Sequence, residues 1–160
     1  MATERDWQAY RTAVVDVTPA DRPAFRIAPA APGRVGAWPD DLEPPVVVVT
    51  AWNPDGIRLA SDVNGARQRI LTLELGTRGL PWSPATGRDP GDGHHEEGAA
   101  VTGLSEEEGL ALGRRHGQAA VYVWTPGAWD VVACDGSRRE SLGWRLTDVP
   151  DAPDPPAAPD

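Results

Sequence analysis

The run Val46-Val47-Val48-Val49-Thr50-Ala51-Trp52, stopped by Asn53-Pro54-Asp55-Gly56, constrains this chain more than any other feature. Consecutive valines carry no polar alternation, so the strand they form must be covered on both faces and sit centrally in its sheet. The Asn-Pro-Asp-Gly that follows is turn chemistry. A strand of this kind needs helices to cover it, and two are legible. Ser61 can cap a helix running through Arg78, with Val63, Ala66, Ile70 and Leu73 recurring on one face and Gly79 placed to end it. That helix is expected to lie on the sheet. Ser105-Glu106-Glu107-Glu108 reads as a capping box, and Arg114, Arg115 and His116 precede Gly117. The second helix therefore carries acids at its positive end and bases at its negative end.

The remaining strands are shorter. Ala119 to Trp124 and Trp129 to Cys134 flank Thr125-Pro126-Gly127-Ala128, in which proline then glycine suits the centre of a type II turn, so the pair reads as a hairpin. Leu80 to Ala85, Ala99 to Thr102 and Leu142 to Leu146 read as further strands, with a polar loop from Thr86 to Glu97. At the N-terminus, Glu4 to Tyr10 suits a short helix, Thr12 to Val17 a strand, and Phe25 to Ala28 a strand between prolines. The expected fold is α+β: a two-layer sandwich, with a mostly antiparallel sheet and two helices packed on one face in a split βαβ-like layout, plus N-terminal strands. Residues 1–147 are read as one domain and residues 148–160 as a disordered acidic tail, since Pro150 to Asp160 offers no apolar side chain larger than alanine.

Composition narrows the function. The formal charge is −9, which argues against nucleic acid as a partner. All 15 basic residues are arginine. Without lysine there is no Schiff-base chemistry, no Walker-type phosphate loop and no kinase-type lysine. The heavy use of Ala, Gly, Pro and Arg matches GC-rich codons and a high-GC bacterial source. A single cysteine, Cys134, excludes an internal disulfide and suits a reducing compartment. No run approaches the roughly 20 apolar residues of a membrane span, and the polar N-terminus has no signal pattern. A cytoplasmic protein with no membrane partner is expected.

With these elements placed, the chain resembles a bacterial family catalogued as domain of unknown function 3293. The resemblance rests on Thr50-Ala51-Trp52-Asn53-Pro54, on Asn64 and Arg67, on Gly87-Arg88-Asp89-Pro90, on Glu96-Glu97 and on Gly117-Gln118-Ala119. Ala9-Tyr10 and the strand after it extend it, so that it covers Trp7 to Asp135. It implies a shared fold and a shared polar constellation, and brings no activity, substrate or cofactor. Where members of the family carry a serine after the paired acids, this chain has Gly98.

Several side chains are candidates for a site. Asn53 ends the central strand, where ligands commonly bind, although it also suits the turn before Pro54. Asn64, Arg67 and Gln68 share a helix face near an N-terminus, which favours an anion as readily as a solvated surface. Arg88 can grip a phosphate or carboxylate, or pair with Asp89. His94, His95, Glu96 and Glu97 are dense in metal-ligand types, but neighbours on a strand point to opposite faces, so a solvated loop is preferred and no metal or cofactor is expected. His116 suits the end of its helix, and Gln118 lies just beyond.

Three functions fit. In the first, Asn53, Asn64, Arg67, Arg88, Asp89, Glu97 and Gln118 form a polar cluster in a binding or interaction module, recognising a small anionic ligand, a nucleotide or a partner protein. In the second, a hydrolase or transferase uses Glu97, or Glu96 in its place, as acid/base beside Arg88. In the third, the cluster is a buried network that only specifies the fold. Oligomeric state is not legible.

Overall fold

The valine run forms strand β3, Val46–Thr50, and both of its faces are covered. Val46 and Val48 join Trp124, Trp129 and Trp144 in one core, while Val47 and Val49 join Leu71, Leu75 and Leu112 in another. The first core fills the inside of a barrel. The second lies between the barrel wall and two helices.

The computed structural model describes residues 2–91 and 93–150. Helix α1 is Glu4–Thr12, α2 is Ser61–Thr77 and α3 is Glu106–Arg115. Besides β3, the strands are β1 Val14–Val17, β2 Phe25–Ala30, β4 Trp82–Arg88, β5 His95–Val101, β6 Ala120–Thr125, β7 Ala128–Ala133 and β8 Arg139–Asp148. The tail expected from residue 148 lies, from residue 151 onward, outside the described residues, and Asp148 itself ends β8. Among the described residues no helix is long and apolar enough to cross a membrane.

The strands close in the order β1-β2-β8-β7-β6-β3-β5-β4, every neighbour antiparallel, with β4 returning to β1. This overturns the expected two-layer sandwich: the sheet curls into an eight-stranded barrel, and the helices pack around it. Two pairings cause the difference. Val14–Val17 pairs with Ala85–Arg88, a contact between distant segments that no local pattern encodes. The stretch expected as a polar loop from Thr86 to Glu97 is instead the outer half of the β4–β5 hairpin, with Thr86 opposite Glu97, Gly87 opposite Glu96 and Arg88 opposite His95. Small residues, Ala85, Gly87, Gly98 and Ala100, recur on its inward side, as a sharply curved wall requires.

The α2 face is a second correction. The stripe of Val63, Ala66, Ile70 and Leu73 faces outward, with Val63 45%, Ile70 63% and Leu73 70% exposed. The helix buries Asn64, Gln68, Leu71 and Leu75 instead. Its first two turns contact the end of β3, where backbone groups need hydrogen-bond partners more than apolar cover. Helix α3 packs closer to the wall through Gly109 and Gly113: a methyl group there would sit 2.8 Å from a Val47 methyl and 2.6 Å from the Cys134 sulfur. Its capping box forms as expected, with Ser105 accepting from the Glu108 amide at 3.1 Å.

Helix α1 lies across the barrel mouth. Trp7 is buried against Val131 and Ala133, with the Arg138 guanidinium 4.4 Å above its ring. Arg11 donates two hydrogen bonds to Glu140, at 2.8 and 2.7 Å, and tethers the helix to β8. The Tyr122 hydroxyl donates to the Tyr10 carbonyl at 2.9 Å.

Candidate functional site

Beyond Thr50 the chain leaves the sheet, and its peptide groups lose their ladder partners. Side chains from α2 and from the turn after α3 replace them. The Ala51 amide donates to Gln68 Oε1 at 3.3 Å, and the Ala51 carbonyl accepts from Arg67 Nε at 3.1 Å. The Trp52 amide donates to Thr50 Oγ1 at 3.0 Å, and its carbonyl accepts from Gln118 Nε2 at 2.9 Å. The Asn53 amide donates to Asn64 Oδ1 at 2.9 Å. This explains why a helix would bury Asn64 and Gln68.

Asn53 sits in the left-handed region, at φ 48°, a conformation its short amide tolerates. Both ends of that amide are used. Oδ1 accepts from the Leu59 amide and from Asn64 Nδ2, each at 2.9 Å, and Nδ2 donates to Glu96 Oε1 at 2.7 Å. His94 Nε2 lies 3.3 Å from the same oxygen. Asn64, itself 1% exposed, thus fixes Asn53, which fixes Glu96. Among the described residues Glu96 Oε2 has no protein partner.

Glu96 shares the inner side of β5 with Gly98 and Ala100, and it opens onto a cavity of ≈ 510 Å³ at the barrel mouth beneath α1. The deeper wall is apolar, from Val15, Val48, Ala85 and Val131, and the polar wall comes from Tyr10, Glu96 and Gln118. Arg5, Arg58, Arg88 and Asp89 stand around it. Burial, with the charges of Asp6 and Glu96 adding, pushes the Tyr10 hydroxyl up to about 12. Burial likewise raises Tyr122, so both phenols stay neutral at ordinary pH. A smaller cavity of ≈ 310 Å³ lies at the other end of the barrel, against Phe25, Val46 and Trp124.

The structure divides the residues singled out in the sequence. Asn53, Arg88, Asp89 and Gln118 line the cavity. Asn64 and Arg67 stand behind it: Arg67 also reaches the His116 carbonyl, at 3.4 Å. Arg88 does not pair with Asp89; its Nε donates to Asp16 Oδ2 at 2.9 Å, beside Arg26. Burial opposes ionisation of Asp16, but these two guanidiniums outweigh it and hold the carboxyl below its usual range. Asp89 Oδ1 caps its own turn at the Gly91 amide, 2.8 Å away. Glu97 is exposed on the outer side of β5, so of the paired acids only Glu96 faces the cavity.

His95 packs its ring against Trp52, with centroids 5.8 Å apart, while His94 stands with Glu96. No group of three or more His, Cys, Asp or Glu among the described residues is arranged to hold a metal ion. Burial depresses the His116 imidazole despite nearby Glu74, and burial lifts the Cys134 thiol to about 11, an inert state. At Gly98 an added Cβ would lie 2.7 Å from the Val49 carbonyl oxygen, so a serine there would require the backbone to shift.

Sequence reasoning missed Tyr10, Tyr122, Arg5 and Arg58 as lining residues. The alternation of Glu96, Gly98 and Ala100 against Glu97, Ala99 and Val101 was the one available signal that Glu96 points inward.

The model of a family described as protein of unknown function (DUF3293) matches residues 49–121. The match covers less than half of the chain. The matched segment runs from the end of β3 to the start of β6 and holds Asn53, Asn64, Arg67, Arg88, Glu96 and Gln118. It is narrower than the span of the sequence resemblance, and Tyr10 and Tyr122 lie outside it. Neither the curated proteins nor the solved structures contain a match to the chain.

Proposed function

We propose that this protein is a binding module that takes a small anionic molecule into the mouth of its barrel. The observation that carries the reading is the ≈ 510 Å³ cavity beneath α1, within the size range of small-molecule sites, with a rigidly braced polar wall and an apolar interior. Arg5, Arg58 and Arg88 supply guanidiniums around it, and of Arg88 only Nε has a hydrogen-bond partner among the described residues. A carboxylate or phosphate group suits that rim.

A thermal-shift screen of carboxylate- and phosphate-bearing metabolites tests this. A ligand present at a hundred times its Kd stabilises by about 2.7 kcal/mol, which for a domain this size raises Tm by about 5–10 °C. The double variant Arg5→Ala/Arg58→Ala should lose that response when measured against its own unliganded Tm. If no anionic compound at millimolar concentration raises Tm, the reading fails.

A second reading, a hydrolase or transferase, is favoured by the way Asn53 aims Glu96 at the cavity. Such bracing is what a general acid or base requires. In this version Glu96 takes the role first given to Glu97. Activity panels on the wild type and on Glu96→Gln decide it, since equal turnover by both removes Glu96 from the chemistry.

A further inference from the structure

The polar groups that the cavity offers to a guest are weighted towards acceptors. Glu96 Oε1 is already taken by Asn53 and His94, which leaves Oε2. Gln118 spends its Nε2 on the carbonyls of Trp52 and His116, at 2.9 and 3.3 Å, so the end it presents is its carbonyl oxygen Oε1. Asn53 Nδ2 gives one of its two hydrogens to Glu96. The interior wall thus supplies two acceptors, one of them charged, and beside them the Tyr10 hydroxyl, which can accept or donate, and the ring of Tyr122. A cavity lined by a carboxylate, a carbonyl oxygen and two tyrosines disfavours an anion and suits an ammonium, which brings three donors and a charge. An anionic group is accommodated only at the arginines of the rim.

Depth adds a third constraint. From Glu96 inward along β5 come Gly98 and Ala100, and the walls beside them are Val15, Val48, Ala85 and Val131. A guest whose charged groups stay at the mouth must therefore send an apolar body downward.

We infer that the guest is a zwitterion of α-amino-acid type: its ammonium bound by Glu96 Oε2 and Gln118 Oε1, its carboxylate at the arginine rim, and an apolar side chain inside the barrel. This rests on the reading of the mouth as a small-anion site and adds the cationic head and the apolar body. Glu96 is then a specificity residue, selecting amines over the matching acids.

Matched probes separate the two levels. L-leucine is compared with 4-methylpentanoate and L-phenylalanine with 3-phenylpropionate, each pair differing by the ammonium alone. Binding is followed by calorimetry at pH 7 and located by amide NMR shifts at Gly98, Gln118 and Ala120. The amino acid of at least one pair should bind about tenfold to a hundredfold more tightly than its acid, the worth of a charge-assisted hydrogen bond. In Glu96→Gln, whose fold is checked by its amide spectrum, that advantage should fall below about threefold, while the acid binds as well as before or better because a repelling charge is gone. Acids that bind at these amides as tightly as their amino acids would overturn the ammonium site and leave the anion site standing. An advantage that survives Glu96→Gln would overturn the role of Glu96. Failure of all four probes to move the cavity amides would sink this inference, while the anion reading stands or falls on the thermal-shift screen.

Discussion

Replacing Asn64 by alanine tests the bracing on which the site depends. The side chain makes three hydrogen bonds: Oδ1 accepts from the Asn53 amide at 2.9 Å, and Nδ2 donates to Asn53 Oδ1 at 2.9 Å and to the Leu59 carbonyl at 3.2 Å. Asn53 Oδ1 keeps a second donor, the Leu59 amide at 2.9 Å, so it is not orphaned. The Asn53 amide and the Leu59 carbonyl are. Each stranded group costs about 1–3 kcal/mol, and partial access of water to Asn53 favours the low end, giving about 2–4 kcal/mol in all. For a domain of this size that lowers Tm by about 5–15 °C. Urea denaturation should move the midpoint with an unchanged slope. A Tm within about 2 °C of the wild type would refute the accounting. The same variant, measured below its Tm, should also lose affinity for a cavity ligand, because the residue that aims Glu96 loses the acceptor of its amide and one of the two donors to its side chain. Stability lost with affinity intact would instead make the Asn53–Asn64 pair a device that only specifies the fold.

Two further predictions address packing and protonation. Ile70→Lys, on the outward stripe of α2, should change stability by less than about 0.5 kcal/mol, whereas Leu71→Ala at the adjacent, fully buried position should cost about 2–5 kcal/mol; the reverse order in urea titrations would restore the apolar stripe as the packing face. The His116 imidazole is depressed below its ordinary 6.5 by burial, so the folded state prefers it neutral while the unfolded chain protonates near 6.5. Its stabilising contribution is therefore complete above about pH 6.5 and is lost as pH falls through the folded-state value, and Tm profiles from pH 7.5 to 5 should fall less steeply for His116→Gln; parallel profiles would contradict the burial argument.

Elements defined by local chemistry were legible in the sequence. The valine run, both helices and the β6–β7 hairpin depend on residues within one element or one turn, although Ser61, expected as a cap, is the first residue of α2, whose N-cap is Ala60 with no side-chain hydrogen bond. The barrel was not, because its closure is a contact of Val14–Val17 with Ala85–Arg88, some seventy residues apart, and either partner reads equally well at the side of an open sheet. The same missing pairing concealed the inward direction of Glu96, since a stretch taken as a loop has no alternation to read. Helix α2 misled for a different reason. Its apolar stripe obeyed the helical period, but the peptide groups after Thr50 needed hydrogen bonds, and that demand brought Asn64, Arg67 and Gln68 to the buried side. Of the polar residues linked by resemblance, Asn53, Asn64, Arg67, Glu96 and Gln118 meet around one strand end, whereas Arg88 pairs with Asp16, Asp89 caps its own turn and Glu97 is exposed on the outer side of β5.

The return of β4 to β1 has a consequence for how this molecule can meet others. An open sheet ends in strands whose free amides and carbonyls can recruit another chain by strand addition, whether a partner peptide or a second misfolded copy. Here the circle is complete, and no such row is left on offer between its strands. Among the described residues, adding a strand to the barrel would require one of its own pairings to open first.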